Sequence, residues 1–416
     1  MSTLQNDNLE TTRQPVRPLP LWRNRNFLLL ISGQGVSAIG TQVSQFAFPL
    51  LILALTHSPA QTGLITALRG LPYALFSLPA GALVDRWNRK LVMIVCDTGR
   101  AIALASIPIA FAFGIVNMVQ LYAVSLIEGT LFVFFHMAEA TTLPHVVTPE
   151  QLPAAAGQNE VLNSSSILIG PSIGGILYTF SSLLPFLADA ISYTFSIISL
   201  LFIRVPFQKE RVDQQQNLWI EVRDGLSWLW HHRLIRFTAL VTGGLVISSI
   251  GYTLIVIIIA QSQHASSFTI GLLFASGGAG SVIGAFLVAP LMKRFGFAYV
   301  MIASTWIWAL SWLLFAFAFN PLLLGIANGL SYTIVPIFLV SQFSYRLALI
   351  PDALQGRVNS VFRLIAFGGQ PIGLVLTGLL LQAIGPLATI LVLFVPQLGL
   401  AILVTVNKDV RAAAKH

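Results

Sequence analysis

The chain has 416 residues, of which 56% are hydrophobic and 9% charged, with a mean hydropathy of +0.80. Soluble proteins carry roughly 25% charged residues, so a water-facing shell cannot be built from this composition and the chain reads as an all-α integral membrane protein. The net charge of +8 then reflects membrane topology, and no nucleic-acid partner is expected.

Residues 1–26 are polar and hold Pro15, Pro18 and Pro20. They read as a cytoplasmic tail without a cleavable signal peptide, because the apolar run that follows is too long for one. Six apolar runs come next, at 27–55, 62–84, 91–113, 117–137, 158–180 and 183–203. Continuous runs near the ~20 residues needed for a crossing favour helices over barrel strands. A polar stretch, 204–233, separates this unit (27–203) from a second one (234–406). The second unit holds runs at 234–260, 268–291, 298–318, 320–343, 358–383 and 386–406, before a cytoplasmic tail at 407–416. Within the linker, "NLWIEVRDGLSWLWHHRLIR" mixes Trp, Leu and Arg. It fits an amphipathic helix on the inner membrane surface or a solvated linker equally well.

The connectors test the count. Those near 56–61, 114–116, 181–182, 261–267, 319 and 384–385 contain no Lys, Arg, Asp or Glu. The alternate connectors and the tails hold 19 of the 23 basic residues. Cations gather on the cytoplasmic side, so twelve spans with both termini cytoplasmic are expected, and the loop at 138–157, which has no Lys or Arg, is placed by alternation alone.

The connector after the second span reads "GALVDRWNRK" (Gly81 to Lys90). Its flank "DRWNRKLVMI" aligns with "KRFGFAYVMI" (Lys293 to Ile302) at an offset of 208, placing Asn88 on Gly296, and "TPEQL" aligns with "IPDAL" at an offset of 202. Two matches in order suggest duplicated halves, the usual build of secondary transporters. On these residues the chain resembles the major facilitator superfamily, whose loop signature G-x-x-x-D-R-x-G-R-K is matched here by Gly81, Asp85, Arg86, Arg89 and Lys90. Asn88 replaces the glycine, and Asn tolerates the left-handed turn. The resemblance implies a fold of twelve helices in two pseudo-symmetric six-helix halves. It also implies that Asp85, with Arg86, Arg89 and Lys90, engages the other half and shuts the cytoplasmic side. Lys293 stands where the second copy would carry the Asp.

The fifth run carries "GQNEVLNSSSILIGPSIGG", which resembles the superfamily's antiporter signature at Gly157, Gly170, Pro171, Gly174 and Gly175, with Ser166 replacing one glycine. Small residues let helices approach, and Pro171 permits a bend. "LRGLP", "DTGR", "LADAISYTFS" and "LIPDALQGRVNSV" resemble the drug:proton antiporter-3 branch, which includes macrolide efflux pumps, siderophore exporters and transmembrane secretion effectors.

Ionisable groups inside spans are costly and mark function by default. Glu128 falls near the middle of the fourth run and Asp189 about six residues into the sixth; both are proton-coupling candidates. For Glu128, a permanent hydrogen bond to a neighbouring helix stands as the alternative. Arg69 lies at the depth of Asp189, permitting a buried ion pair or contact with an anionic or carbonyl-bearing substrate. Asp97 and Arg100, at i and i+3, fit one helix face. Arg69, Glu128, Phe132 and Phe135 are the substrate-cavity candidates. Trp308 and Trp312, in a run peripheral in the family, are expected to face lipid. All the membrane-embedded acids fall in the first half, which leaves a more apolar binding surface to the second.

Cys96 is the only cysteine and no HExxH or P-loop occurs, so neither an enzyme nor a metal or other cofactor is expected. The leading reading is a monomeric, multi-pass plasma-membrane exporter of lipophilic small molecules, in a bacterial inner membrane, driven by protons. An uptake or sodium-coupled carrier and a transport-inactive receptor or scaffold are its rivals.

Overall fold

The computed structural model describes residues 20–205, 207, 218–351 and 354–413, without the side chains of Leu78, Ala82, Asp85, Ala348 and residues 218–221. Most of the 1–26 tail, linker residues 208–217 and positions 414–416 lie outside it, as does the side chain of Asp85.

The described residues contain helices and no strand. Lipid offers no partner to a backbone N–H or C=O, so each apolar run satisfies its own groups by coiling. In the first half, α1 (Arg25–Thr56), α2 (Pro59–Arg86), α3 (Arg89–Ala112) and α4 (Met118–Ala140) are followed by the single turn α5 (Leu143–Val146), then α6 (Leu152–Phe180) and α7 (Leu184–Phe202). Polar residues at the ends of the runs close several of these helices. The side chains of Asn24, Ser58, Asn88 and Asn117 accept hydrogen bonds from the first turns of α1, α2, α3 and α4, each worth about 1 kcal/mol.

The second half is less regular. After α8 (Leu218–His231) come α9 (Arg233–Ser249), α10 (Tyr252–Ser262), α11 (Ser267–Leu314), α12 (Pro321–Leu349), α13 (Gln355–Phe367), α14 (Gln370–Val406) and the short α15 (Lys408–Ala412). The stretch that allowed two readings in sequence is thus helical over 218–231. It packs on α13, where Arg357 reaches Asp224 at 3.1 Å and Leu229 joins Val358 and Val361.

Among the described residues, nine segments are long and apolar enough to cross a membrane. The segments 267–314 and 355–406 contain 48 and 52 residues, or about 72 and 78 Å of helix against ~30 Å of hydrocarbon. Each turns at a glycine of positive φ, Gly296 (φ 73°) and Gly385 (φ 75°), a conformation that only glycine adopts without strain. The limbs on either side of Gly296 share a cluster on α12, with Val288 and Val300 against Ile334 and Ile337. Counting two crossings in each, and α2 between α4 and α14, gives the expected twelve.

The structure corrects the sequence reading at three turns or spans. Asn88 is not left-handed; it sits at φ −69° and serves as the N-cap of α3, while its repeat partner Gly296 takes the positive φ. The runs read as continuous over 234–260 and 358–383 are both interrupted, between Ser249 and Tyr252 and between Phe367 and Gln370. A Cβ on Gly251 would lie 2.1 Å from Thr377 Oγ1, and one on Gly369 would lie 2.6 Å from Ile247. The two breaks therefore pack against each other's helices.

Each half has its own core, and one cluster joins them: Phe46, Leu50 and Leu53 of α1 pack with Leu254, Ile255 and Phe274. Two crossings of small residues complete the contact between halves. Gly63 of α2 meets Gly378 of α14, and Gly175 of α6 meets Gly271 of α11. Both crossings lie towards the end where the connectors carry no charge. There Gln382 Oε1 accepts from Ser58 Oγ at 2.6 Å and from Ala60 N at 3.2 Å.

Candidate functional site: a buried charge network beside a central cavity

Glu128, on α4, is 1% exposed. Its Oε1 accepts from Arg100 Nη2 at 2.8 Å, Arg100 Nε at 3.1 Å and the Tyr193 hydroxyl at 3.0 Å. Its Oε2 faces Arg69 Nε at 2.7 Å. One carboxylate thus joins α2, α3 and α7 to α4, and Thr41 adds α1 by accepting from Arg100 Nη2 at 3.2 Å. Close packing makes this reach possible: Gly129 lies against the backbone of Arg69, and Ser125 Oγ donates to Ile65 O at 2.7 Å.

Arg100 is 2% exposed and lies among rings. Its guanidinium is 4.2 Å from the Tyr193 centroid, 5.4 Å from Phe132 and 5.9 Å from Phe135, a setting that partly replaces lost hydration. The i, i+3 pair is present, with Arg100 Nη1 at 3.7 Å from Asp97 Oδ1. The expected pairing of Arg69 with Asp189 is not made: Arg69 is taken by Glu128, and the bonds to Asp189 Oδ1 and its carbonyl come from Ser192 Oγ, at 3.1 and 2.8 Å. Ser44 faces Asp189, and Ser196 faces Asp97. The inventory is three fully buried carboxylates and two guanidinium groups.

A cavity of about 550 Å³ opens between the halves. Arg69, Thr41, Tyr73 and Phe132 line it from the first half, and Tyr252, Tyr332, Arg363 and Gln370 from the second. Of the four cavity candidates, Arg69 and Phe132 reach the wall; Glu128 and Phe135 sit behind it. A second pocket of about 170 Å³ lies within the second half, shares Ile250, Tyr252, Tyr332, Phe367 and Gln370 with the first, and is walled by Trp308 and Trp312. Those tryptophans do not both face lipid as expected: Trp312 is 4% exposed, with Nε1 donating to Ile390 O at 3.0 Å. Both interrupted helices contribute walls, as expected where irregular backbone lines a cavity.

The signature residues fall into separate roles. Arg89 Nη1 donates to Thr141 O and Phe207 O at 3.2 and 3.4 Å, and Lys90 Nζ to Ile203 O at 2.7 Å. These bonds hold the loop to the ends of α4 and α7, and none reaches the second half. Trp87 stacks on Phe134. In α6, Gly170 and Gly174 fit against Gln42, Val43 and Phe46 of α1, Gly175 against α11, and Pro171 O against Gly271, while a Cβ on Gly157 or Gly81 would meet nothing within 4 Å among the described residues. Ser166 Oγ bonds back to Leu162 O at 2.9 Å.

Sequence reasoning missed Tyr193 and Thr41 in the network and Tyr252, Tyr332, Gln370 and the cavity position of Arg363. Only Tyr193 had a local signal, four residues after Asp189 on one helix face.

Twelve crossings in two halves, a cavity between them, and buried ion pairs at its wall define a major facilitator transporter. The chain belongs to the transmembrane secretion effector family, whose model matches residues 17–415. It is 25% identical over 393 residues to the multidrug efflux pump Tap of Mycobacterium tuberculosis, covering 90% of this chain and 92% of Tap. It is 29% identical over 222 residues to the macrolide efflux protein A of Streptococcus pyogenes, covering 53% and 54% of the two chains. The crystal structure of the nucleoside transporter NupG shares the fold, with a TM-score of 0.75 at 14% identity over 94% of this chain and 99% of that one.

Proposed function

We propose that this multi-pass membrane protein exports lipophilic small molecules by proton antiport and alternating access. In this reading it works as a monomer in a bacterial inner membrane, with both termini in the cytoplasm. The names of Tap and of the macrolide efflux protein support the direction of transport. The segregation of cations onto alternate connectors supports the orientation.

The observation that carries proton coupling is the unequal charge count. Asp97, Glu128 and Asp189 are buried with Arg69 and Arg100, so the fully ionised network holds one uncompensated negative charge. Low dielectric penalises that charge heavily, and one bound proton removes it. Glu128 is held by two arginines, whereas Asp189 has no cation within ion-pair distance among the described residues. Asp189 is therefore the stronger of the two coupling candidates. The network ties five helices to the cavity wall, so its charge state bears directly on Arg69.

Alternating access is supported by the way the two halves meet. The halves meet at Gly63–Gly378 and Gly175–Gly271, towards the charge-poor end, which in this orientation is the outer face. In the family, Asp85 of the loop signature would latch the inner side.

The test measures accumulation of a panel of lipophilic antibiotics and dyes in cells with and without the protein, before and after a protonophore. Lower accumulation that the protonophore abolishes is expected for at least one compound. In proteoliposomes, Asp189→Asn should lose transport driven by a pH gradient while keeping substrate exchange. Export that survives the protonophore would sink the coupling, and movement of no compound would sink the transport reading.

A further inference from the structure

The lining of the central cavity is one-signed. It includes Arg69 and Arg363, from opposite halves, and no Asp or Glu. Arg69 shares its charge with Glu128 through Nε, and its terminal nitrogens make no hydrogen bond among the described residues. Arg363 makes no hydrogen bond or ion pair among the described residues. Its charged neighbour is Arg346, another cation, which is 5% exposed, bonds Asn359 Oδ1 at 2.8 Å and stacks on Phe362 at 3.6 Å. Spans seven to twelve contain no Asp or Glu to offset either group. The buried network behind Arg69 becomes neutral once one carboxylate is protonated, so Arg363 and Arg346 leave the cavity net positive.

An unpartnered guanidinium in a cavity of this size strongly disfavours an organic cation, since like charges repel most where water is scarce. It favours a carboxylate or another planar anion, which the guanidinium fork can bind through two hydrogen bonds. The adjoining pocket of about 170 Å³ has a complementary character, with Trp308, Trp312 and Phe315 in its wall. An apolar cavity near 150 Å³ accepts a benzene ring.

We propose that the substrate is an amphipathic anion, its charged head held between Arg69 and Arg363 and its aromatic or aliphatic body inserted beside Trp308 and Trp312. This rests on the export reading of the same cavity and narrows it to one charge class.

The test uses three probes with one aromatic body: 2-naphthoxyacetate (anion), 2-naphthoxyethanol (neutral) and 2-(2-naphthoxy)ethylammonium (cation). Binding to the purified full chain is read by tryptophan quenching, and transport by flux in proteoliposomes. The wild type should prefer the anion to the ammonium by tenfold or more. Arg363→Gln should weaken anion binding about tenfold to a hundredfold and leave the alcohol within about twofold. Arg363→Lys should recover much of the anion binding, and Trp308→Ala should weaken anion and alcohol alike. Equal or better binding of the ammonium would overturn the proposal. So would an Arg363→Gln effect of the same size on anion and alcohol, or the absence of binding by all three probes. In the last case export of the antibiotic and dye panel decides separately whether the efflux reading also falls.

Discussion

Glu128 and Asp189 are both buried acids, yet the network treats them differently. Removing the charge of Glu128 leaves Arg69 and Arg100 without their shared anion, and an unpaired buried charge costs about 3–5 kcal/mol. No cation depends on Asp189 in the same way. Glu128→Gln should therefore lower the unfolding temperature in detergent by several degrees, while Asp189→Asn should change it little or raise it. The opposite order would show that the two arginines draw their stability from elsewhere. That an intramembrane acid sits at each position was legible in the sequence, because charge in a span stands out against its apolar neighbours. The partners were not legible. The contact of Arg69 with Glu128 depends on Gly129 lying against the Arg69 backbone, a fit between two helices that neither run encodes alone. Equal depth suggested Asp189 instead, and depth fixes only one of the coordinates that a contact needs.

At the scale of elements, glycine has two uses here that a sequence does not separate. Gly251, Gly368 and Gly369 stand at the breaks between α9 and α10 and between α13 and α14. Gly175 and Gly271 lie within unbroken helix and let α6 and α11 touch. Apolar runs revealed the crossings, since length and hydropathy are properties of one segment; breaks depend on what the neighbouring helix demands. The signature in α6 can be divided by the same argument. A Cβ on Gly271 would lie 2.6 Å from Pro171 O and 3.2 Å from Ser172 Cα, whereas nothing lies within 4 Å of one on Gly157. Gly271→Leu should block close approach of the halves at the charge-poor end and suppress transport without preventing insertion. Gly157→Ala should leave transport near the wild-type level. Flux in proteoliposomes, normalised to reconstituted protein, checks both. Loss at Gly157 with tolerance at Gly271 would show that the signature acts through some other contact.

For the whole molecule, the sequence-level duplication and the placement of cations lead to the same geometry as the two glycine crossings: two bundles meeting at the end remote from most of the charge. If the bundles rock, the contact of Gln382 with Ser58 and Ala60 must open once per cycle. Ser58 and Gln382 are 324 residues apart in sequence and belong to opposite halves, so their separation reports that motion directly. Cys96, the only cysteine, is 4% exposed, which gives a nearly silent background for thiol chemistry. The double variant Ser58→Cys, Gln382→Cys should react with a short, reducible bifunctional thiol reagent to give a cross-linked chain that still binds substrate but no longer transports it. Reduction should restore flux, and each single variant should transport normally after the same treatment. Full transport by the cross-linked chain would mean that this end never opens, and the cavity would then need a different exit.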